Sequence, residues 1–197
     1  MVKRDIVVIG ASAGGVEALR QLTAELPPRL DAALFVVVHM PPSWETNLPL
    51  ILSRKGGIQG VRACADQPIE PGRIYVAAPD HHLVVDNGRI HIWRGPKENL
   101  HRPAINPLFR SAAVTYGKRV IGVILSGAMD DGSAGLWWVK RYGGLTVVQD
   151  PDDAQYPDMP QNALQHVSAD YVLSAPEIGR SLPSMIQDAG LEAKEKS

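Results

Sequence analysis

The sequence lacks the features that mark several classes of protein. A single cysteine among 197 residues, Cys64, excludes a disulfide framework and a multi-thiolate zinc site within the chain. The formal charge of −1, from 20 basic and 21 acidic side chains, does not favour a basic surface for nucleic acid. No apolar run approaches the ~20 residues of a membrane-spanning helix. The apolar segment at residues 6–9 is too short for a secretory signal. Nucleic-acid binding and membrane insertion are therefore not expected.

The composition that remains is typical of one globular domain. Hydrophobic residues make up 45% of the chain and charged residues 21%, which are the proportions of a folded protein. A chain of 197 residues suits one domain with a single sizeable core. We expect this domain to span residues 1–191 in a cytoplasmic protein, followed by a charged, frayed tail over residues 192–197.

Strand and helix patterns alternate over most of the chain. Residues 5–9 predict a buried strand, apolar positions three and four apart predict a helix over 16–26, and residues 33–38 predict a second strand. Strand, helix, strand is the unit of a parallel sheet. The last third continues the alternation, with helices predicted at 107–116, 134–142, 161–166 and 177–189 and strands at 120–125, 145–148 and 171–173.

The middle of the chain predicts a different element. Residues 73–77 and 82–85 are short extended runs, and the latter is followed by the Asn87-Gly88 pair that a type I′ turn requires. Ile90 and Ile92 then alternate with polar or amphipathic neighbours. We expect an antiparallel hairpin here, inserted at an edge or end of the parallel sheet. The predicted class is α/β.

Unusual side chains follow three of the predicted strands, where ligands bind in open parallel sheets. Residues 10–14 fit G-x-S-x-G, in which Ser12 would occupy a sharp turn between a strand and a helix. The N–H groups at the start of that helix could hold a developing oxyanion, and the N–H of Ala13 is the first candidate. A serine nucleophile is one interpretation of this turn.

Two other interpretations of the glycine-rich turn compete with a nucleophile. In a dinucleotide fingerprint, Gly10, Ser12 and Gly15 would take the three glycine positions, but a central serine obstructs approach of a pyrophosphate. His39 also stands where that fingerprint expects an acidic residue. The third interpretation is a purely structural turn.

A histidine and a pair of aspartates follow the other two strands. A lone histidine after an apolar strand is more often structural, but neighbouring parallel strands lie ~4.8 Å apart, so His39 could reach Ser12 and act as its base. Such a base needs an orienting carboxylate, for which Asp130 and Asp131 are candidates. Aspartate is also a favoured helix N-cap, so one of the pair could be only that. The residues alone do not choose between them.

Taken together, these motifs resemble one known family. The blocks that carry the resemblance are Gly10-Ala11-Ser12-Ala13-Gly14-Gly15, His39-Met40-Pro41-Pro42, His101-Arg102-Pro103 and the segment 125–135, with Gln149-Asp150 and Met159-Pro160 further along. In order and spacing they are similar to the catalytic domain of the bacterial chemotaxis protein-glutamate methylesterase, CheB. The resemblance covers nearly the whole chain, from residue 6 to about 173.

The resemblance implies a fold, a reaction and roles for single residues. It implies a doubly wound, Rossmann-like, mostly parallel sheet with a short antiparallel hairpin. It implies hydrolysis of γ-glutamyl methyl esters on the cytoplasmic helices of chemoreceptors, with deamidation of glutamines as a second activity. By motif, Ser12 is the nucleophile, His39 the base and Asp131 the orienting carboxylate, while Asp130 is structural. The oxyanion site is expected around Ala13 and Ala128, with Met129 beside it.

The resemblance also bears on cofactors, partners and regulation. No metal or organic cofactor is required, and Arg102 could bind an acidic group of a receptor helix, although ordinary surface solvation is the alternative. Full-length family members carry an N-terminal receiver domain that this sequence does not include, so that form of regulation is expected to be absent unless a separate regulatory protein supplies it. Two other functions stay open. One is a catalytically silent module that docks receptors, and the other is an esterase or amidase whose substrate lies outside chemotaxis.

Overall fold

A seven-stranded, wholly parallel sheet forms the centre of the protein. The structure is a computed structural model that describes residues 3–41, 47–53 and 57–187, so the tail predicted at 192–197 lies outside the described residues. The strands are β1 (Ile6–Ala11), β2 (Ala33–Val38), β3 (Gln59–Arg62), β4 (Arg73–Val76), β5 (His82–Asp86), β6 (Arg89–Trp93), β7 (Val120–Ile124), β8 (Leu145–Gln149) and β9 (Tyr171–Leu173). The helices are α1 (Gly15–Ala24), α2 (Leu48–Leu52), α3 (Ile105–Tyr116), α4 (Ser133–Arg141), α5 (Asp158–His166) and α6 (Ala175–Gln187).

The strand order places β1 between β2 and β7. The full order is β3-β4-β2-β1-β7-β8-β9, and Ile6 of β1 pairs with Ala33 on one side and Val120 on the other. Every residue of these three strands is buried, as expected of strands covered on both faces. The chain first adds β2, β3 and β4 on one side of β1 and later adds β7, β8 and β9 on the other side. The direction in which strands are added therefore reverses between β1 and β7. This is the switch point at which open α/β sheets bind ligands.

Helices cover both faces of the sheet, which confirms the doubly wound α/β fold. On one face α1, α2 and α6 pack through side chains such as Leu19, Leu52 and Leu182. On the other face α3, α4 and α5 pack through side chains such as Phe109 and Leu136. No helix among the described residues is long and apolar enough to span a bilayer.

The predicted hairpin is present but lies elsewhere than expected. β5 pairs with β6 in antiparallel register, and Asn87 and Gly88 both take positive φ, 46° and 77°, as a type I′ turn requires. The hairpin forms a sheet of its own and packs on α3, where the Val85 N–H donates to Ser111 Oγ at 3.1 Å. It does not extend an edge of the parallel sheet.

The short elements before the hairpin were predicted only in part. β4, expected as a short extended run, is a strand of the parallel sheet and lies between β2 and the edge strand β3. β3 and α2 have no sequence prediction, because β3 is a four-residue strand with no fully buried side chain and α2 is a five-residue helix. Neither is long enough to show a period.

Candidate active site

Ser12 lies in the tight turn that joins β1 to α1. The Ser12 N–H donates to the carbonyl of Ser126 at 3.0 Å, and the Gly15 N–H donates to the carbonyl of Ser12 at 2.9 Å. Gly14 has φ of 70°, in the left-handed region that favours glycine. A Cβ on Gly127 would lie 2.8 Å from the Ser12 Cβ, so only glycine lets the loop after β7 approach the serine this closely.

His39 and Asp131 extend from Ser12 as a chain of hydrogen-bond contacts. Ala11 at the end of β1 pairs with Val38 at the end of β2, which brings the residues after them side by side. His39 Nδ1 lies 3.1 Å from Ser12 Oγ, and His39 Nε2 lies 2.7 Å from Asp131 Oδ2. The His39 and Asp131 side chains are only 5% and 1% exposed. The structure therefore brings together the three side chains that the sequence singled out.

The contacts determine where the proton of neutral His39 lies. An ionised carboxylate only accepts hydrogen bonds, so the Nε2 atom that faces Asp131 must carry the proton. The Nδ1 lone pair is then free to accept the hydroxyl proton of Ser12. This is the tautomer that a general base beside a serine needs.

Asp131 is ionised because other groups of the fold compensate its burial. Besides His39, its carboxylate accepts the N–H of Ile105 at 2.6 Å, the N–H of Asn106 at 3.4 Å and the side-chain amide of Asn99 at 3.1 Å. Burial by itself raises the pKa of Asp131, but the hydrogen bonds from His39, Ile105 and Asn106 outweigh it and hold the pKa below its ordinary value. Ile105 and Asn106 begin α3, whose positive end also favours a negative charge.

The tertiary structure separates the two adjacent aspartates. Asp130 is exposed, whereas Asp131 is buried. The structure does not support the alternative that one of them is the N-cap of the helix just beyond, because the N-cap of α4 is Gly132 and no side chain of the described residues caps it. Asp131 instead lies at the N-terminus of α3.

The residues expected around an oxyanion lie beside Ser12 and in the loop after β7. The backbone N–H groups of Ala13 and Ala128 donate to none of the residues that the structure describes, so both are available. Met129 has φ of 70° and is 48% exposed, and its carbonyl accepts the side-chain amide of Asn162 at 2.7 Å. Met129 therefore lies at the surface of this loop and does not fill interior space.

Arg102 is held by the protein itself. Its guanidinium donates to Asp80 Oδ1 at 2.8 and 2.6 Å and to the carbonyl of Gly95 at 2.6 Å. These contacts give Arg102 a structural role, and its binding of substrate stays a prediction. Among the described residues, no group of three or more His, Cys, Asp or Glu side chains is placed to hold a metal ion.

Two buried polar residues that the sequence analysis missed hold the site together. Asn106 Oδ1 accepts the N–H groups of Gly132 and Gly135 at 3.1 and 2.7 Å, which joins the start of α3 to the start of α4. Ser126 Oγ donates to the carbonyl of Ala13 at 2.8 Å and accepts the N–H of Tyr156 at 3.0 Å. The sequence offered one signal for each residue. Asn106 is the polar residue of the otherwise apolar segment 104–109, and Ser126 directly follows the apolar segment 120–125.

Comparison with known proteins identifies relatives along nearly the whole chain. A family model described as CheB methylesterase matches residues 7–182. A Leptospira interrogans relative is 37% identical over 175 residues, which are 88% of this chain and 91% of that protein. A Paraburkholderia xenovorans protein named protein-glutamate methylesterase/protein-glutamine glutaminase is 35% identical over 189 residues. That match covers 94% of this chain but 52% of the relative, so the chain spans about half the length of some relatives.

A solved structure matches the fold as a whole. The crystal structure of the Thermotoga maritima CheB methylesterase catalytic domain superposes with a TM-score of 0.86 at 33% sequence identity. The match covers 94% of this chain and 99% of that one.

Proposed function

Because this chain belongs to the CheB methylesterase family, we propose that it hydrolyses γ-glutamyl methyl esters on the cytoplasmic helices of chemoreceptors, with Ser12, His39 and Asp131 as the catalytic triad. Deamidation of glutamine side chains is the second activity, since the amide presents the same carbonyl to the same nucleophile. The observation that supports the proposal is the continuous contact from Ser12 Oγ through His39 to the Asp131 carboxylate.

The first half of the reaction transfers the glutamyl acyl group to Ser12. His39 Nδ1 takes the hydroxyl proton as Ser12 Oγ forms a bond to the ester carbonyl carbon. The Nε2–H of the resulting imidazolium donates a hydrogen bond to Asp131, and the negative charge of Asp131 stabilises the imidazolium. When the tetrahedral intermediate collapses, the bond to the methoxy oxygen breaks, His39 returns the proton and methanol leaves.

The oxyanion of the tetrahedral intermediate needs donors that are already in place. The N–H groups of Ala13 and Ala128 are the candidates, because neither donates to another described residue. The N-terminus of α1 adds a partial positive charge beside the serine. Loss of one such donor typically lowers the rate by ~10²–10³.

The second half of the reaction releases the product and restores the serine. His39 Nδ1 removes a proton from a water molecule, the hydroxyl adds to the acyl carbon, and the ester bond to Ser12 breaks. The proton returns to the serine oxygen and glutamate is left on the receptor. For a glutamine substrate the group that leaves in the first half is ammonia.

Methanol release from methylated chemoreceptor membranes tests this proposal. We expect the wild-type protein to release methanol and Ser12→Ala to release none above the uncatalysed background. Asp130→Asn is the matched control, since the Asp130 side chain is exposed and outside the contact chain, and it should retain wild-type activity. Retention of wild-type methanol release in Ser12→Ala would by itself contradict the proposed triad, and loss of it in a folded Asp130→Asn variant would contradict the choice of Asp131 over Asp130.

The other open functions are distinguishable outcomes of the same assay. Hydrolysis of a p-nitrophenyl ester without methanol release from receptors would indicate a serine esterase with another substrate. Inactivity toward both would indicate a docking module. Regulation by a separate protein and a cytoplasmic location stay predictions.

A further inference from the structure

The ring of a second histidine lies flat against His39. The centroids of the His39 and His101 rings are 3.6 Å apart, and the ring planes differ by 9°. His101 makes this contact from the loop between β6 and α3, so it approaches His39 from a different element than Ser12 or Asp131 does. The His101 ring contacts the face of the His39 ring, whereas both hydrogen bonds of His39 are made at its edge, in the ring plane.

A strained turn presents His101 to this position. Glu98 and His101 exchange two backbone hydrogen bonds of 3.1 and 2.9 Å, and the two residues between them, Asn99 and Leu100, have φ of 48° and 68°. The left-handed conformation is unfavourable for a branched side chain such as leucine and persists only where the surroundings impose it. The same turn also brings the Asn99 amide to Asp131. One local structure thus contacts two members of the proposed triad.

Ion pairs hold the turn on both sides. The Glu98 carboxylate accepts two hydrogen bonds from Arg110 of α3, at 3.1 and 3.0 Å. On the other side, Arg102 binds Asp80 and the carbonyl of Gly95. These contacts of Arg102 anchor the residue next to His101. The sequence had suggested Arg102 as a substrate-binding residue.

The surroundings of His101 favour the neutral ring. Its Nε2 atom is buried and has no hydrogen-bond partner among the residues that the structure describes. Burial lowers the pKa of His101, and the charge of His39 acts in the same direction, while Asp131 opposes them and Lys97 adds to them. A neutral His101 ring adds no positive charge beside His39 when His39 accepts a proton.

We propose that His101 is a positioning residue that holds the His39 ring in the plane joining Ser12 and Asp131. Two in-plane hydrogen bonds leave the ring free to tilt, and a stacked neighbour on its face removes that freedom. A tilt of the base moves Nδ1 away from the serine hydroxyl, and misplacement of a catalytic group by ~1 Å can lower a rate ~10²-fold. This role rests on the proposed function, because it acts through His39 as the general base.

A pair of substitutions at position 101 tests the stacking. His101→Ala removes the ring, and we expect kcat for methanol release to fall about 10- to 100-fold with KM changed by less than about threefold. His101→Phe restores an aromatic face without a titratable group, and we expect it to retain kcat within about threefold of wild type. Thermal unfolding of each variant measures whether the fold is retained. A purely structural role would lower the unfolding temperature of His101→Ala together with its activity, whereas a positioning role lowers kcat in a variant that stays folded.

A measurement on the resting protein separates this proposal from the esterase activity. The ¹⁵N chemical shifts of the His39 ring report its tautomer, and wild type and His101→Phe should show predominantly the Nε2–H form. His101→Ala should show shifts averaged toward the other tautomer, because a ring that tilts spends part of its time without the Asp131 contact that keeps the proton on Nε2. If wild type releases no methanol, the proposed function fails, yet these spectra still test the positioning role.

Two results would overturn the role of His101. One is a His101→Ala variant with wild-type kcat and unchanged His39 shifts. The other is a folded His101→Phe variant with kcat as low as that of His101→Ala, which would mean that the imidazole itself is required. If His101→Phe does not fold, the role of His101 is tested by two measurements on His101→Ala, its kcat and the ¹⁵N chemical shifts of its His39 ring.

Discussion

The amino ends and the carboxyl ends of the central strands β1, β2 and β7 each carry an acid–base pair, and the two pairs differ in their exposure to solvent. At the amino ends, Asp5 before β1 and Arg119 before β7 form two hydrogen bonds of 2.8 and 3.0 Å, and their side chains are 24% and 49% exposed. At the carboxyl ends, His39 and Asp131 form a pair that water scarcely reaches. The same sheet thus places one pair in solvent and the other in its interior.

The difference shows what burial demands of a charged group. An exposed pair loses little hydration, needs no further partner and contributes ~0–1 kcal/mol. A buried carboxylate is costly unless its oxygens are hydrogen-bonded, and Asp131 accepts bonds from His39, Asn99 and the first two N–H groups of α3. Every group around Asp131 is therefore constrained in position, which is the condition that catalysis requires.

Replacing the buried carboxylate should have the largest effect. In an Asp131→Asn variant the new side-chain amide can offer its N–H to His39 Nε2, which favours the tautomer with the proton on Nδ1 and leaves no acceptor for the serine proton. We expect kcat for methanol release to fall ~10⁴-fold. The matched control is Asp130→Asn in the same assay. A loss smaller than about tenfold would show that Asp131 does not orient the base.

Removing the buried side-chain amide of Asn106, which supports the site at the carboxyl ends of the strands, should chiefly lower the stability of the protein. Asn106→Ala leaves the N–H groups of Gly132 and Gly135 without their acceptor, and each unsatisfied buried donor costs about 1–3 kcal/mol. We expect the free energy of unfolding in urea to fall by about 2–4 kcal/mol. Asn162→Ala, which removes one exposed bond, is the control and should change it by less than about 1 kcal/mol. Equal effects of the two variants would contradict the assigned role of Asn106.

Acid should lower the free energy of unfolding by protonating Asp131 at the carboxyl ends of the strands. The folded pKa of Asp131 lies below its ordinary 3.8, so its stabilisation is complete above that pH and is lost as the pH falls through the folded pKa. We expect the difference in unfolding free energy between wild type and Asp131→Asn to change in the direction unfavourable to wild type as the pH falls below about 4.

Ser12→Ala keeps the carboxylate and is the control for that titration. Its free energy of unfolding should follow the same acid dependence as wild type. An Asp131→Asn profile that runs parallel to wild type down to about pH 3 would contradict the lowered pKa.

Breaking the pair at the amino ends should have the smallest effect. Arg119→Gln removes an exposed partner of Asp5, and we expect a loss of less than about 1 kcal/mol that shrinks further in high salt. Methanol release should be unchanged. A salt-independent loss as large as that in Asn106→Ala would mean that the two ends of the strands do not differ as described.

Sequence patterns were sufficient for the long elements and failed for the short ones. The apolar runs of β1, β2 and β7 are buried on both faces, so their composition alone identifies them. The four residues of β3 are stabilised by pairing with β4, a long-range contact that no local pattern records. The Asn-Gly pair located the hairpin turn, but the face on which the hairpin packs depends on α3.

The sequence by itself determined that a serine, a histidine and a pair of aspartates each follow a strand of a parallel sheet, because strand ends and chemical groups are local properties. The family resemblance already favoured Asp131 over Asp130, although the residues by themselves did not choose between them. Only the tertiary structure decided that Nε2 is the nitrogen facing the carboxylate, that the start of α3 surrounds Asp131, and that His101 covers the ring. These are relations between segments far apart in the chain, and the packing of α3 against the end of the sheet establishes them.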